Sequence, residues 1–425
     1  VKVLAAVVVP PHLTVSGAAR AAESLSLALA RHCDMTLATM IAGGDAPVVG
    51  AGDLARVPVR TWLPPGLGHP AVPNRFRTLF YRSDMSQRVG SRRYDLVHLH
   101  NPMPALEMRR IARTCRRLAI PYVVSTHGFN EVVNGLRIYG FNAWQRLAWR
   151  QLVIEPVREV VAHAARIFAL SPDDIGLLQA LGQRTDRVTV VSNGVPSPEP
   201  GHDEEDARLL ARLGVEGRTA GGPPTLLFLA NHTPNKGLPV LIEACRDIRE
   251  PFQLIVGGER RDGVAYDSFQ AACRDGQRVV VTGRLTDAEA AACFRRADIF
   301  VFPTLADTFP LVVLEAMAAG LAVVASRVGG IPHQIGPDEG VLVEAGRPAA
   351  LAEALGSLLR DPDRARRLGE TGRRRARTTF TWESAAKIAM SGYAAVLAEA
   401  ADASDDHRIA QGSLGLPSGT PMGLG

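Results

Sequence analysis

Asp307 and Glu315 stand with seven residues between them, and an apolar run from Phe309 to Leu314 lies inside that spacing. Just before them, Ile299 to Phe302 reads as a buried strand and Pro303 to Thr308 as a loop. Pro310 to Ala319 then reads as a helix, with Gly320 as its stop. Thr308 or Asp307 is placed to cap that helix, and Pro310 falls in its first turn, where a missing N–H is not needed. The unpaired amides of the turn, on Phe309, Leu311 and Val312, point out of the carboxyl end of the strand. Such a turn attracts an anion, and phosphate suits it. Glu315 lies about one and a half turns in. A carboxylate there cannot grip phosphate, but it can accept hydrogen bonds from ribose hydroxyls. A lone Glu is usually an ordinary helix residue; the apolar neighbours of this one argue against a solvated face. A further strand, Leu321 to Ala325, followed by Gly329-Gly330, completes a crevice of the kind found where strand order reverses.

The first half carries no dinucleotide fingerprint. Pro10 to Arg20 follows the first strand candidate without Gly-x-Gly-x-x-Gly, and Gly17 alone opens the next helix. Gly17 has two readings: close packing of loop on helix, or approach of a substrate to the backbone at the positive helix end. His127 follows a strand in Ser125-Thr126-His127-Gly128, and by itself is an ordinary loop residue. His98 and His100 sit at another strand end, one expected toward a cleft and one toward the core, and neither is placed among the catalytic residues. Asp361-Pro362-Asp363 has the form of a metal-binding pair but lies among helix breakers and arginines, so it reads as a surface turn. No nucleophile or metal site stands out, and neither metal nor cofactor is expected. Arg75 to Arg117 is rich in Arg and poor in acid. It is either a solvated surface or a patch facing anionic lipid or an anionic acceptor. Tyr139 to Leu152 mixes aromatics with Arg at helical spacing, which fits core packing first, then an acceptor pocket or a membrane surface.

The elements that must carry these residues alternate strand and helix. That is the pattern of parallel sheets covered on both faces. Strands are expected at Val1–Val9, Asp34–Met40, Leu96–His100, Tyr122–Ser125, Arg166–Leu170 and Val188–Val191. Helices are expected at Gly17–Arg31 (capped by Ser16), Ala105–Leu118, Gln145–Ala164 and Pro172–Leu181. Pro, Gly and acid then cluster over Val195–Glu204 and Glu216–Pro224, where a domain boundary falls. A second series follows, with strands at Thr225–Ala230, Phe252–Val256, Val279–Thr282, Ile299–Phe302, Leu321–Ala325 and near Val341. Two α/β halves of similar size predict two Rossmann-like sheet domains facing across a cleft. A long helix is expected from Glu383 to about Ala401, and residues 404–425, rich in Gly, Ser and Pro, read as disordered.

With 425 residues, two domains are the default. The five cysteines form no Cys-x-x-Cys pair and are odd in number, which suits a reducing cytosol rather than a disulfide framework. Lys and Arg number 48 against 43 acids, too near balance to imply nucleic acid. The apolar opening stops at Pro10-Pro11, and Leu311–Ala325 is broken by Glu315 and Gly320, so neither a leader nor a membrane span is expected. The expected location is cytoplasmic, with a peripheral contact to the inner membrane face as the variant the arginine run suggests.

The run Asp307-Thr308-Phe309-Pro310-Leu311-Val312-Val313-Leu314-Glu315-Ala316-Met317-Ala318-Ala319-Gly320 resembles the signature of the retaining GT-B glycosyltransferases of family 4, the glycosyl transferases group 1. The resemblance covers nearly the whole chain. It includes Ser125-Thr126-His127-Gly128, Val191-Ser192-Asn193-Gly194-Val195, Pro234-Asn235-Lys236-Gly237, Val256-Gly257-Gly258, Thr282-Gly283-Arg284-Leu285, Ala297-Asp298 and Phe380-Thr381-Trp382-Glu383. It implies two domains: residues 1–196, bound by the terminal helix 383–401, for the acceptor, and residues 197–382 for the nucleotide sugar. It implies Lys236 and the amides of Leu311 and Val312 at the donor diphosphate, and Glu315 at the ribose. Asp307 is implied at the sugar hydroxyls, His127 at the transferred sugar, and Gly17 beside the acceptor and diphosphate. Gly258, Arg284 and Phe309 complete the donor set. Three departures surround that site. Asn231 stands where the family usually has Arg, leaving Arg260 or Arg284 to compensate; the first acid is Asp307 rather than Glu; and Pro310 replaces Gly. The implied activity is retaining transfer from a UDP-sugar, or a GDP-sugar, to a small-molecule or cell-envelope acceptor without metal. A pseudo-glycosyltransferase, a nucleotide-sugar epimerase and a non-catalytic nucleotide-sugar-binding partner are the rivals that Asn231 keeps open.

Overall fold

The computed structural model describes residues 1–8, 16–40, 54–69, 72, 74–91, 94–100, 104–127, 129, 132, 140–195, 203–217, 222–260 and 264–412. Expectations placed on Pro10–Pro11, on Gly128, on the linker 196–202 and on 413–425 lie outside them.

The first sheet has seven strands: β1 (Lys2–Val7), β2 (Asp34–Met40), β3 (Ala55–Val59), β6 (Leu96–His100), β7 (Tyr122–Ser125), β8 (Arg166–Ala169) and β9 (Val188–Val190). They run parallel in the order β3-β2-β1-β6-β7-β8-β9. A small antiparallel pair, β4 (Thr61–Trp62) with β5 (Arg82–Ser83), stands apart. The second sheet has six parallel strands: β10 (Thr225–Leu229), β11 (Phe252–Gly257), β12 (Gln277–Gly283), β13 (Ile299–Phe302), β14 (Ala322–Ser326) and β15 (Gly340–Val343), in the order β12-β11-β10-β13-β14-β15. In both sheets the order reverses between the first strand and a later one (β1 beside β6, β10 beside β13). The crevices outside these strand ends are the natural ligand sites of such sheets. Continuous apolar runs such as Leu226-Leu227-Phe228 and Ile299-Phe300-Val301-Phe302 are buried, as strands covered on both faces must be.

Three elements differ from the sequence reading. The helix expected over Gln145–Ala164 begins at Ala143 and carries a π-helical turn at Arg150–Ile154 before continuing from Glu155 to Ala162. Pro156 accounts for it: proline lacks the N–H and its ring crowds the carbonyl one turn back, so the ladder widens there. The terminal helix runs from Trp382 to Gly412, so residues 404–412, read as disordered, are helical. No proline interrupts that stretch and its first glycine is Gly412. Asp361-Pro362-Asp363 is a helix start rather than a surface turn. Asp361 accepts the Arg364 amide at 2.9 Å and Asp363 pairs with Arg366 at 2.6 Å.

The terminal helix joins the first domain. Ala385, Ala386, Ala389, Tyr393 and Val396 are buried in one cluster with Val3, Leu25 and Phe168. Tyr393 Oη lies 2.7 Å from Nδ1 of His98, whose Nε2 lies 2.7 Å from Ser125 Oγ. The chain crosses between the sheets twice at one place, where the Val195 amide donates to the Phe380 carbonyl at 2.9 Å. A side chain at Gly194 would collide with the Trp382 backbone, so the two crossings touch.

Candidate active site

The helix expected after β13 forms over Leu311–Ala319, and Gly320 ends it with φ +87°. Its start is one residue later than the sequence suggested. Pro310 is the N-cap, and no side chain caps the turn. Asp307 cannot do so because its carboxylate is used elsewhere: Oδ1 accepts the Thr308 amide at 2.9 Å, and Oδ2 lies 2.6 Å from Lys236 Nζ. The first-turn amides of Leu311, Val312 and Val313 therefore remain available to an anion. Phe309 precedes the helix; its ring is buried and its carbonyl accepts Asn193 Nδ2 from the first domain at 3.0 Å.

Three glycines shape the loop from two sides. Gly329 has φ +51°, and a Cβ there would lie 1.9 Å from the Asp307 carbonyl. The Gly330 amide donates to the Thr308 carbonyl at 2.7 Å, which pins Asp307 to Phe309 against the end of β14. On the other side, Asn235 accepts from the Leu305 amide at 2.7 Å and from Thr304 Oγ1 at 2.9 Å. Gly237 has φ +75° and lies against the Pro303 carbonyl, where a Cβ would come within 1.8 Å. These contacts bring Lys236 beside Asp307 from a different strand end. Gly258 answers a similar need: its φ is +135° and the Ala230 carbonyl occupies the space of a side chain. Asn231 is exposed at the end of β10, its carbonyl accepting the Thr233 amide at 2.8 Å.

Glu315 faces the first domain. Its side chain is 24% exposed, and the Arg20 guanidinium lies 3.6 Å from it and 3.9 Å from Asp287. Burial pushes the Glu315 carboxyl above its ordinary range; Arg20 opposes that shift and Asp287 adds to it. Arg20 belongs to the helix Gly17–Leu29, whose cap is Ser16 Oγ accepting the Ala19 amide, as the sequence indicated. Gly17 meets nothing within 4 Å of a Cβ position, so close packing does not explain it. Sequence reasoning missed Arg20. The available signal was a cation one turn into a helix with no acid in its first turn, an arrangement the helix dipole disfavours. Asn193, Asp287 and the pair His333–Asp173, 3.1 Å apart across the domains, were also missed.

His127 lies just after β7, 5% exposed, with Nε2 lacking a partner among the described residues. Burial holds its imidazole down to about 4. It stacks on His100 at 5.7 Å, and His100 lies 3.9 Å from His98. The expectation that His98 and His100 point oppositely is wrong: residues two apart on a strand share a face, and both are fully buried. Among the described residues neither nitrogen of His100 has a partner. Among the described residues, no hydrogen bond joins His127 to Lys236 or Asp307; those two pair with each other. Arg284 follows β12 and is exposed, whereas Arg260 donates to the Val281 carbonyl at 3.1 Å and stacks over Tyr266.

An open cavity of about 620 Å³ lies apart from this site, lined by Arg82, Arg109, Arg110, Arg113 and Arg117. Glu107, fully buried, approaches Arg110 at 3.6 Å and Arg82 at 3.8 Å, and Glu159 pairs with Arg113 at 2.6 Å. Arg109 and Arg117 have no carboxylate within 4 Å among the described residues, so the cavity is cationic. Beyond the neighbouring π-helical turn, Trp144 and Leu147 are 80% and 51% exposed, while Trp149 packs on Phe141. Among the described residues no helix is long and apolar enough to cross a membrane.

Residues 15–197 match the model of Glycosyltransferase Family 4, and residues 215–375 that of Glycosyl transferases group 1. A D-inositol 3-phosphate glycosyltransferase of Xylanimonas cellulosilytica is 32% identical over 311 residues, 71% of this chain and 72% of the relative. Another of that description, from Corynebacterium glutamicum, is 33% identical over 220 residues; the match takes in 49% of this chain and about half of that relative, 51%. Among solved structures, Anabaena HepE in complex with UDP and glucose superposes with a TM-score of 0.68, covering 93% of this chain and 99% of that one at 15% identity. That likeness is one of fold.

Proposed function

The chain belongs to glycosyltransferase family 4 and has its two-domain GT-B fold, and from that premise we propose that it transfers a sugar, with retention and without metal, from a nucleoside diphosphate donor. The observation that carries the reading is the convergence of Lys236, Asp307, the free amides of Leu311 and Val312, and Glu315 around one strand end. Lys236 and the amides hold the diphosphate and stabilise the charge that develops on it as the glycosidic bond breaks. Glu315 takes the ribose hydroxyls. Asp307 takes the sugar hydroxyls once the donor parts it from Lys236. His127, neutral at ordinary pH, offers Nε2 to the transferred sugar from the other side. The departing phosphate oxygen takes the acceptor's proton on the face it leaves, so configuration is kept. The charge handled by Lys236 and the helix turn is what a metal would otherwise neutralise; activity unaffected by a chelator is the expected result.

UDP is favoured over GDP by the likeness to a protein solved with UDP. The acceptor is a small molecule or a cell-envelope component. The cationic cavity together with exposed Trp144 and Leu147 favours a peripheral contact with anionic lipid on the cytoplasmic face. Incubation with UDP- and GDP-sugars, following release of the nucleoside diphosphate, tests the transfer. Release from one donor, raised by an acceptor, is expected. Donor binding with no release from any donor and acceptor would sink transfer and leave the non-catalytic partner. A changed sugar or a coupled cyclitol in the product would favour the epimerase or pseudo-glycosyltransferase.

A further inference from the structure

We propose that Arg20 is a donor-diphosphate residue supplied by the first domain, and that its pair with Glu315 is the empty-site form of a latch which the donor rearranges. The proposal rests on the donor reading above and adds a residue and a motion to it.

Arg20 reaches across the cleft. Its guanidinium lies 3.6 Å from Glu315 and 3.9 Å from Asp287, both of the second domain. Its side chain is 55% exposed, so charge rather than packing holds the pose. The position is unfavourable for the isolated helix: it lies one turn from a positive helix end that has no acid to balance it. A cation tolerated there fits an anion bound at that end, and Gly17 leaves the backbone open to one.

The charge balance points the same way. A diphosphate brings more than one negative charge. The cation of the 234–236 turn, Lys236, already holds Asp307 at 2.6 Å. Asn231 is neutral, and Arg260 is turned to the Val281 carbonyl and the Tyr266 ring. Arg20 is the arginine that already stands beside the residue expected to hold the ribose. Its pair with Glu315 is long for a hydrogen bond and partly exposed, hence weak. A forked guanidinium–phosphate contact is stronger. The exchange frees Glu315 for the ribose and moves Arg20 to the phosphate. Because Arg20 and Lys236 come from different domains, the bound diphosphate ties them together and favours closure.

Calorimetric titration of UDP and UMP, and of GDP and GMP, into the wild type, Arg20→Ala and Arg20→Lys tests this. The wild type should bind one diphosphate. Arg20→Ala should weaken it about tenfold, the scale of one charge-assisted contact, and should change the monophosphate less. Arg20→Lys should fall between, since it keeps the charge and loses the fork. Unchanged diphosphate affinity in Arg20→Ala, or equal losses for di- and monophosphate, would overturn the role of Arg20 and leave the donor site standing. No diphosphate binding by the folded wild type would remove the donor reading and this proposal together.

Discussion

Lys236 and Asp307 hold each other at 2.6 Å, and on the proposed placement a donor parts them. On the proposed placement, removing Lys236 leaves the diphosphate without its close cation. Lys236→Ala should weaken UDP binding about tenfold to a hundredfold, and Glu315→Ala should do the same through the ribose. Wild-type affinity in both would refute the placement. Glu315 also sets a direction with pH. Its raised range means it loses its charge earlier than an ordinary carboxylate as pH falls, and donor affinity should decline with it. The three imidazoles bear on stability. Burial holds His98 near about 3 and His127 near about 4, and His100 well below its ordinary value of 6.5. In the unfolded chain each takes a proton near pH 6.5, so the unfolded state binds more protons below that value. The stability they contribute is present above about 6.5 and is lost as pH falls below it toward the lowered values in the folded chain. Urea unfolding on either side of that window measures it, and a flat profile would mean the rings are not buried neutral. At this scale the sequence disclosed Asp307 and Glu315, because their spacing lies within one loop and helix. Arg20 and Asn193 escaped, because each meets a partner more than a hundred residues away.

The elements were legible where apolar pattern and length agreed. β2, β6, β7 and β13 have the expected bounds, and the other expected strands shift by one or two residues at an end. The misses have local causes. β3 contains Pro58 and is an edge strand, where proline is tolerated but the pattern is weak. The helices Asn74–Phe80 and Met85–Ser91 are seven residues each, too short to show a helical period. The helix Asp203–Arg212 opens with four consecutive acids, which look like a linker but favour a helix start. The loops around the site are fixed by close approach rather than by pattern. Gly237 is the sharpest test. With φ +75° and the Pro303 carbonyl 1.8 Å from any Cβ, Gly237→Ala should cost more than about 2 kcal/mol and displace Lys236. Thermal unfolding and donor titration read both effects; a variant as stable and as tight-binding as the wild type would show that the loop does not need that approach.

Two sheets, one terminal helix and a double crossing make the molecule. The terminal helix returns to the first domain through Tyr393 and the alanine face, while Asn193 to Phe309, Arg20 to Glu315 and Asp287, and Asp173 to His333 are among the described contacts that span the cleft. Alternation of strand and helix disclosed two facing sheets, but not these bridges, since long-range pairing leaves no periodic mark in a sequence. The crossing at Val195 and Phe380 gives a compact pivot, and a ligand held by both domains would close them about it. A crystal structure of the chain with UDP reads the donor's position outright. The diphosphate is expected against the amides of Leu311 and Val312 with Lys236 turned onto it from Asp307, and the ribose on Glu315. UDP bound elsewhere, with the Lys236–Asp307 pair intact, would contradict it.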